Sequence, residues 1–364
     1  MRIMHVTEAL GGGVLNVIQQ LSSLQSDAQH DVTVVHSIRI DTPNLAELLK
    51  IFPKPITCIE LKMQTNISPL QDLVSLLMLF KTINKINPDI IHLHSSKAGV
   101  LGRIACKLLG RSSACFYTPH GFSFLRKDIN SKKRAAFKTI EKISSYFGGT
   151  TIACSQSELD HAKAVGQEKA ILIENSIPLN LVSEAIGSSS GCQIISSGRL
   201  CNQKNPSAFR KIAIALNKEP ASFLWIGDGE LKNDLLVDGE LPENLAFTGW
   251  IAREVVVDHL NRSDIFVMTS LWEGMPLALI EAQAAGLPAV VLNVEGCKDI
   301  VTDGVTGFIC DNTDQMQNRL KQLISDPQLR KKMGLSARKI ALQRFAEDRM
   351  NSETLTAYAR ALHN

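Results

Sequence analysis

Arg199 and Lys204 are the residues whose types and placement most directly imply chemistry. Ser197-Gly198-Arg199-Leu200 closes an apolar run, and Lys204-Asn205-Pro206 opens a helical one. Proline suits the first turn of a helix, so both cations flank a helix N-terminus, where unpaired amides and the helix dipole favour negative charge. Guanidinium, ammonium and helix end can converge on one anion, and a diphosphate fits them well. The same pair also reads as two solvated cations beside a strand end. Asn202 and Gln203 occupy positions where a P-loop needs glycines, which disfavours ATP hydrolysis of that kind.

Trp272-Glu273-Gly274-Met275-Pro276-Leu277 leads into a second helix that carries Glu281. The amides from Gly274 to Leu277 are placed to meet a ligand. On a helix, the spacing from Glu273 to Glu281 is a rise of ~12 Å, so the two carboxylates grip opposite ends of an extended ligand rather than one atom. A glycosidase pair, which must flank one bond at about 5–9.5 Å, fits poorly. Glu281 as an ion-paired helix residue is the plainer alternative. Trp225-Ile226-Gly227-Asp228-Gly229-Glu230 is a further strand-to-turn junction, read as a nucleotide-edge turn around Gly227 in preference to a carboxylate pair for a divalent metal.

In the first half, Gly11-Gly12-Gly13 stands between a strand and a helix, where bare amides can approach an anion or simply make a tight turn. It is not the G-x-G-x-x-G of a dinucleotide site. His92 and His94 share one side of a strand and read as lining a cleft between domains; a third metal ligand at sensible spacing is missing. Thr118-Pro119-His120-Gly121 puts a histidine in a Pro/Gly-framed turn beyond a strand, either as chemistry or as packing.

Short β-branched runs alternating with helical periods must position these groups, which implies parallel strands with crossover helices. Strands are expected at 3–7, 31–36, 56–60, 90–94, 114–117, 150–154 and 170–173, then at 192–197, 222–226, 245–248, 265–269, 289–292 and 307–309. Helices are expected after Gly13, at 70–86, 98–109 and 132–147, then at 206–216, 253–261, 278–285, 313–325, 327–344 and 347–363. The pattern implies an α/β chain with two Rossmann-like, doubly wound domains facing across a cleft. The N-terminal domain is placed at 1–186, with the Gly/Ser tract 187–191 as linker. A second domain follows at 192–345, and 346–364 is expected as a helix packing back toward the N-terminal domain.

The chain has 364 residues, 45% hydrophobic, 21% charged and 5% aromatic, which excludes disordered and collagenous classes. The net charge of +3 does not suggest a nucleic-acid binder. Residues 1–183 carry 20 Lys/Arg against 14 Asp/Glu, so the first half is the better candidate to meet an anionic surface. Eight scattered cysteines without a C-x-x-C pair read as reduced thiols, and no signal peptide or membrane-spanning run is recognised, so a cytoplasmic chain is expected.

Taken in order, Gly11-Gly12-Gly13, His120-Gly121, Gly198-Arg199-Leu200 with Lys204-Asn205-Pro206, Phe247-Thr248-Gly249-Trp250, and Glu273 with Glu281 before Ala284-Ala285-Gly286-Leu287-Pro288 resemble the retaining glycosyltransferases of family 4, which have the GT-B fold. The resemblance implies that Arg199 and Lys204 hold the donor diphosphate, Glu273 contacts the transferred sugar and Glu281 the ribose. It further implies that amides around Gly274, Met275, Pro276 and Leu277 cap the phosphates, Gly12 and Gly13 close over the reaction centre, and His120 faces the sugar. Backbone near Trp250 and Ile251 would read the base. The family's Asn-Gly-Ile/Val-Asp turn is replaced here by Asn175-Ser176-Ile177-Pro178.

The implied activity is transfer of a sugar from a nucleotide diphosphate, with a UDP-sugar as the expected donor, to a saccharide or polyprenyl-diphosphate-linked acceptor in surface-polysaccharide synthesis (O-antigen or capsule). No Asp-x-Asp sequence occurs, and no metal or other cofactor is expected. A nucleotide-sugar epimerase and a silent nucleotide-sugar binder are the competing readings. Arg126 to Lys142 carries seven cations against two acids and reads either as a solvated helix face or as an interfacial helix drawn to anionic lipid at the inner face of the membrane.

Overall fold

The computed structural model describes residues 1–39, 41–64, 68–178, 185, 191–237 and 241–363. Residues 187–190, most of the tract read as a linker, lie outside the described residues. Contacts divide the chain into two compact units: 1–125, 129–175 and 347–364 form one, and 126–128 with 176–346 form the other.

The first unit runs β1 (Arg2–Thr7), α1 (Gly12–Asp27), β2 (Asp31–His36), α2 (Leu45–Ile51), β3 (Thr57–Glu60), α3 (Pro69–Ile86), β4 (Ile90–His94), α4 (Ser96–Leu108), β5 (Cys115–Thr118), α5 (Ser131–Ser145), β6 (Thr150–Ala153), α6 (Gln156–Ala164) and β7 (Ile171–Leu172). Its seven parallel strands lie in the order β3-β2-β1-β4-β5-β6-β7. The second unit runs β8 (Cys192–Ser197), α7 (Pro206–Ala215), β9 (Ala221–Ile226), α8 (Lys232–Val237), β10 (Leu245–Phe247), α9 (Arg253–Asn261), β11 (Ile265–Met268), α10 (Leu277–Ala285), β12 (Ala289–Leu292), α11 (Cys297–Ile300), β13 (Gly307–Cys310), α12 (Thr313–Ser325) and α13 (Pro327–Arg344). Its order is β10-β9-β8-β11-β12-β13, again parallel. The last helix, α14 (Glu347–His363), belongs to the first unit, where Tyr358 is fully buried.

Both orders reverse once, between β1 and β4 and between β8 and β11. In doubly wound sheets ligands bind beyond the strand ends at that reversal. Gly11–Gly13 and Ser95 lie there in the first unit; Gly198–Arg199 and Thr269 lie there in the second. The cores are the strand faces covered by helices, as the near-continuous apolar strands require. Met4, Val6, Ile91, Leu93 and Tyr117 share one cluster, and Ile194, Phe223, Trp225, Val267 and Val290 another.

Phe137 on α5 packs against the first unit's core, Ile140 is half-buried, and Glu141 and Ser144 are buried. Phe137 and Ile140 therefore serve the fold, while Lys132, Lys133, Arg134, Lys138, Lys142 and Ile143 are exposed. Glu141 anchors the inward face: its carboxylate receives Arg103 Nη2 at 3.4 Å and the Tyr117 hydroxyl at 2.9 Å. One expectation needs correction: His92 and His94 are 1% and 0% exposed and so line no open surface.

Candidate functional site

In the second unit, Gly198 leaves β8 at φ +153 and Gly227 leaves β9 at φ +133. A Cβ on Gly227 would stand 2.2 Å from the Gly198 carbonyl oxygen, which accepts the Trp225 indole N–H at 2.8 Å. The two strand ends are thus drawn together by glycine backbone, and the turn after β8 is aimed by it. Arg199 emerges from that turn with its side chain one-third exposed, and its Nε lies 3.7 Å from the largely exposed Glu230 carboxylate.

The Lys204 ammonium donates to Glu273 Oε1 at 2.6 Å. Gln203 Nε2 donates to the Trp272 carbonyl at 3.0 Å and to Glu273 Oε2 at 3.3 Å, while the Thr269 hydroxyl donates to the Lys204 and Asn205 carbonyls at 2.9 and 3.0 Å. The loops after β8 and β11 are therefore laced together, with Glu273 buried between them. Burial pushes the Lys204 ammonium down, but the attraction of Glu273 and the hydrogen bond to it outweigh burial, so the group sits above the ordinary lysine value. An ammonium has three donors, so the bond to Glu273 leaves capacity for a phosphate oxygen.

Glu273 lies in the loop before α10, which starts at Leu277 with Pro276 as its N-cap. The helical spacing expected between Glu273 and Glu281 thus applies only to part of the interval. Glu281 instead pairs with Arg253 Nη2 at 2.6 Å, and burial raises its carboxyl above the usual range despite that cation. Gly274 approaches Gly296 so closely that a Cβ on Gly296 would lie 2.5 Å from the Gly274 carbonyl oxygen, which seats the start of α10. Trp250 is 65% exposed beside half-buried Ile251. Asp228 accepts from Lys232 at 2.7 Å and from the Gly229 amide at 2.8 Å, so it does not converge with Glu230 on a common point.

In the first unit, α1 starts at Gly12, earlier than expected, so Gly12 and Gly13 form its first turn. Both are exposed, and a Cβ on either would meet nothing within 4 Å. His120 is half-buried at φ +55, a left-handed conformation that non-glycine residues rarely adopt. The next residue is held by its amide, which donates to Glu158 Oε1 at 2.6 Å.

Behind His120 stand groups that sequence reasoning did not connect. His94 Nδ1 lies 3.0 Å from His120 Nε2, His5 Nδ1 lies 2.9 Å from His94 Nε2, and His5 Nε2 donates to Gln25 Oε1 at 2.9 Å. His92 lies between the Tyr358 hydroxyl at 2.6 Å and Thr118 Oγ1 at 2.8 Å. The missing third histidine is His5, on the neighbouring strand in register with His92. His5, His92 and His94 form the one group of metal-ligand type among the described residues. All six of their ring nitrogens already hold the partners named above, so a metal would have to displace hydrogen bonds.

Sequence reasoning also missed Gln203 and Arg253, whose roles lie in tertiary contacts without a motif. The charge of Arg253 on the first turn of α9 was the available signal.

Comparison with known proteins gives a consistent pattern. A family model described as glycosyl transferases group 1 matches residues 188–340, and one described as glycosyltransferase family 4 matches 11–181. The chain is 34% identical over 355 residues to the UDP-Gal:alpha-D-GlcNAc-diphosphoundecaprenol alpha-1,3-galactosyltransferase of Escherichia coli, across 89% of this chain and 88% of that one. Among solved structures, sucrose-phosphate synthase from Thermosynechococcus elongatus superposes with a TM-score of 0.83 at 16% identity, covering 99% of each chain. Anabaena HepE in complex with UDP and glucose superposes with a TM-score of 0.78 at 18% identity, covering 99% of this chain and 100% of that one.

Proposed function

The chain belongs to glycosyltransferase family 4, and from that premise we propose that it moves a hexosyl group from a UDP-sugar to a lipid-linked saccharide, with retention of configuration and without a metal ion. The observation that carries this reading is the grouping of Arg199, Lys204 and Glu273 at the strand-order reversal of the second unit.

In the proposed step the bond between the anomeric carbon and the β-phosphate oxygen breaks, and the oxygen departs with its electron pair. Arg199, Lys204 and the N-terminal amides of α10 oppose the charge that grows there; because they are in place beforehand, little reorganisation is needed. The acceptor hydroxyl forms the new bond from the same face, and its proton passes to the leaving phosphate. Glu273 contacts the transferred sugar, Glu281 the ribose, and Trp250 and Ile251 the base. The family resemblance also assigns Gly12, Gly13 and His120 roles toward the sugar. The Escherichia coli relative, whose name gives a UDP-sugar donor and a diphosphoundecaprenol-linked acceptor, supports that donor and acceptor class, and relatives named for O-antigen and capsular polysaccharide biosynthesis support placing the reaction in surface-polysaccharide assembly.

The test is a thermal-shift panel of nucleotide sugars, followed by turnover with and without a chelator. A UDP-sugar raises Tm, because a ligand that binds only the folded state stabilises it. The product keeps the donor's anomeric configuration, and EDTA leaves the rate unchanged. Activity lost to EDTA and restored by Mn²⁺ would contradict metal independence. Epimerised UDP-sugar in the absence of acceptor would favour an epimerase.

Contact with the cytoplasmic face of a membrane belongs to the same reading. No described helix is long and apolar enough to cross a bilayer. The exposed cations of α5 supply electrostatic attraction, worth about 1 kcal/mol per Lys or Arg near an anionic surface. Leu70, Leu73, Val74 and Leu77 form an exposed apolar stripe along α3, with Lys81 and Lys85 further along that helix. Charge reversal at Lys132, Lys133 and Arg134 should reduce co-sedimentation with anionic vesicles at least tenfold and leave neutral vesicles unaffected. Equal binding to both vesicle types by both proteins would end the proposal.

A further inference from the structure

The row of histidines behind His120 has a direction. Gln25 Oε1 can only accept, so His5 must carry its proton on Nε2. A neutral imidazole has one N–H, which leaves His5 Nδ1 as an acceptor for His94 Nε2–H at 2.9 Å. His94 Nδ1 is then the acceptor for His120 Nε2–H at 3.0 Å. The row ends with a lone pair on His120 Nδ1, which makes no hydrogen bond among the described residues.

We propose that Gln25, His5 and His94 are positioning residues that hold His120 in its Nε2–H tautomer and so present its Nδ1 to the donor sugar as an acceptor for a hydroxyl group. This rests on the reading of His120 as part of the donor site. The left-handed backbone at His120 fits such a role, since strain of this kind persists only where surrounding contacts over-determine it.

The surroundings keep the rings neutral. Burial lowers His5 and His120 to about 4, and lowers His94 and His92 well below the ordinary imidazole value. The other ionisable groups at this end of the sheet are engaged elsewhere. Glu8 accepts from the Lys97 and Ala98 amides, each at 3.0 Å, and Glu158 from the Gly121 and Cys154 amides at 2.6 and 2.8 Å. The Tyr358 hydroxyl, raised by burial, faces His92.

The first test uses the full wild-type chain with ¹⁵N-labelled histidine. Long-range ¹H–¹⁵N spectra should show Nε2–H on His5, His94 and His120, with no titration of these rings between about pH 5.5 and 8. A proton on Nδ1 of His94 or His120, or titration of the row in that window, would overturn the proposal. The second test follows UDP release from whichever of UDP-galactose, UDP-glucose and UDP-N-acetylglucosamine the chain turns over. Gln25→Leu should lower turnover roughly tenfold, the value of one oriented hydrogen bond. Gln25→Glu should move the acid limb of the pH profile upward by at least about one unit, because a carboxylate stabilises a proton in the row. Wild-type rates and profiles in both variants, with His120→Phe inactive, would overturn the row while leaving the donor-site reading intact. Wild-type turnover in His120→Phe would remove that reading and the proposal with it.

Discussion

Arg199→Ala is expected to lower kcat by roughly 10²–10³-fold, the cost of removing one preorganised group from a developing anion. The same substitution should change stability by less than about 1 kcal/mol, since the ion pair to Glu230 spans 3.7 Å and its carboxylate partner is largely exposed. That asymmetry separates a catalytic cation from a structural one. Lys204 does not allow so clean a separation, because its loss would leave the buried Glu273 carboxylate with Gln203 as its remaining side-chain partner named above. Steady-state kinetics with a saturating UDP-sugar, beside denaturant unfolding of the same protein, measures both quantities. Wild-type turnover in Arg199→Ala would refute its assignment to the leaving group.

Glu273→Gln should have the second large effect, and its signature lies in pH. In the native protein Glu273 holds the Lys204 ammonium above the ordinary lysine value in spite of burial. On the alkaline side the stability this pair contributes is therefore intact up to about pH 10.4 and is lost as pH rises through the raised value. In Glu273→Gln the carboxylate is gone and burial, the largest influence on the ammonium, outweighs the nearby Cys201 and Cys297, so the Lys204 pKa falls below its ordinary value. Turnover should drop about 10²-fold at neutral pH as an electrostatic contact to the transferred sugar is lost. What activity remains should decline with rising pH at least about one unit earlier than in the wild type. An alkaline limb that does not move would show that Glu273 does not control Lys204.

The strand pattern was legible because parallel strands covered on both faces must be continuous apolar runs. Asp31–His36, Ile90–His94, Cys192–Ser197 and Ala289–Leu292 match the expected limits. Four helices were missed for physical reasons. α2, α8 and α11 have only seven, six and four residues, too short for a period to declare itself, and α6 is polar on average between two β-branched strands. The loop residues of the second unit were legible as a group because Gly, Arg, Lys, Pro and Glu each declare a backbone or charge role at short range. Partnerships were not legible. Lys204 with Glu273, Arg253 with Glu281, and His5 with His94 join residues 69, 28 and 89 positions apart, and only the strand order brings them together. The inward face of α5 was not legible for a related reason. Composition does not say which face of α5 turns inward, and the buried Arg103–Glu141 pair decides that.

The most direct test is a crystal structure of the chain soaked with the UDP-sugar that the thermal panel selects. The account predicts that the β-phosphate oxygens lie within about 3 Å of the Arg199 guanidinium and the Lys204 ammonium, with the diphosphate at the N-terminus of α10. A diphosphate bound elsewhere, out of reach of both cations, would contradict it.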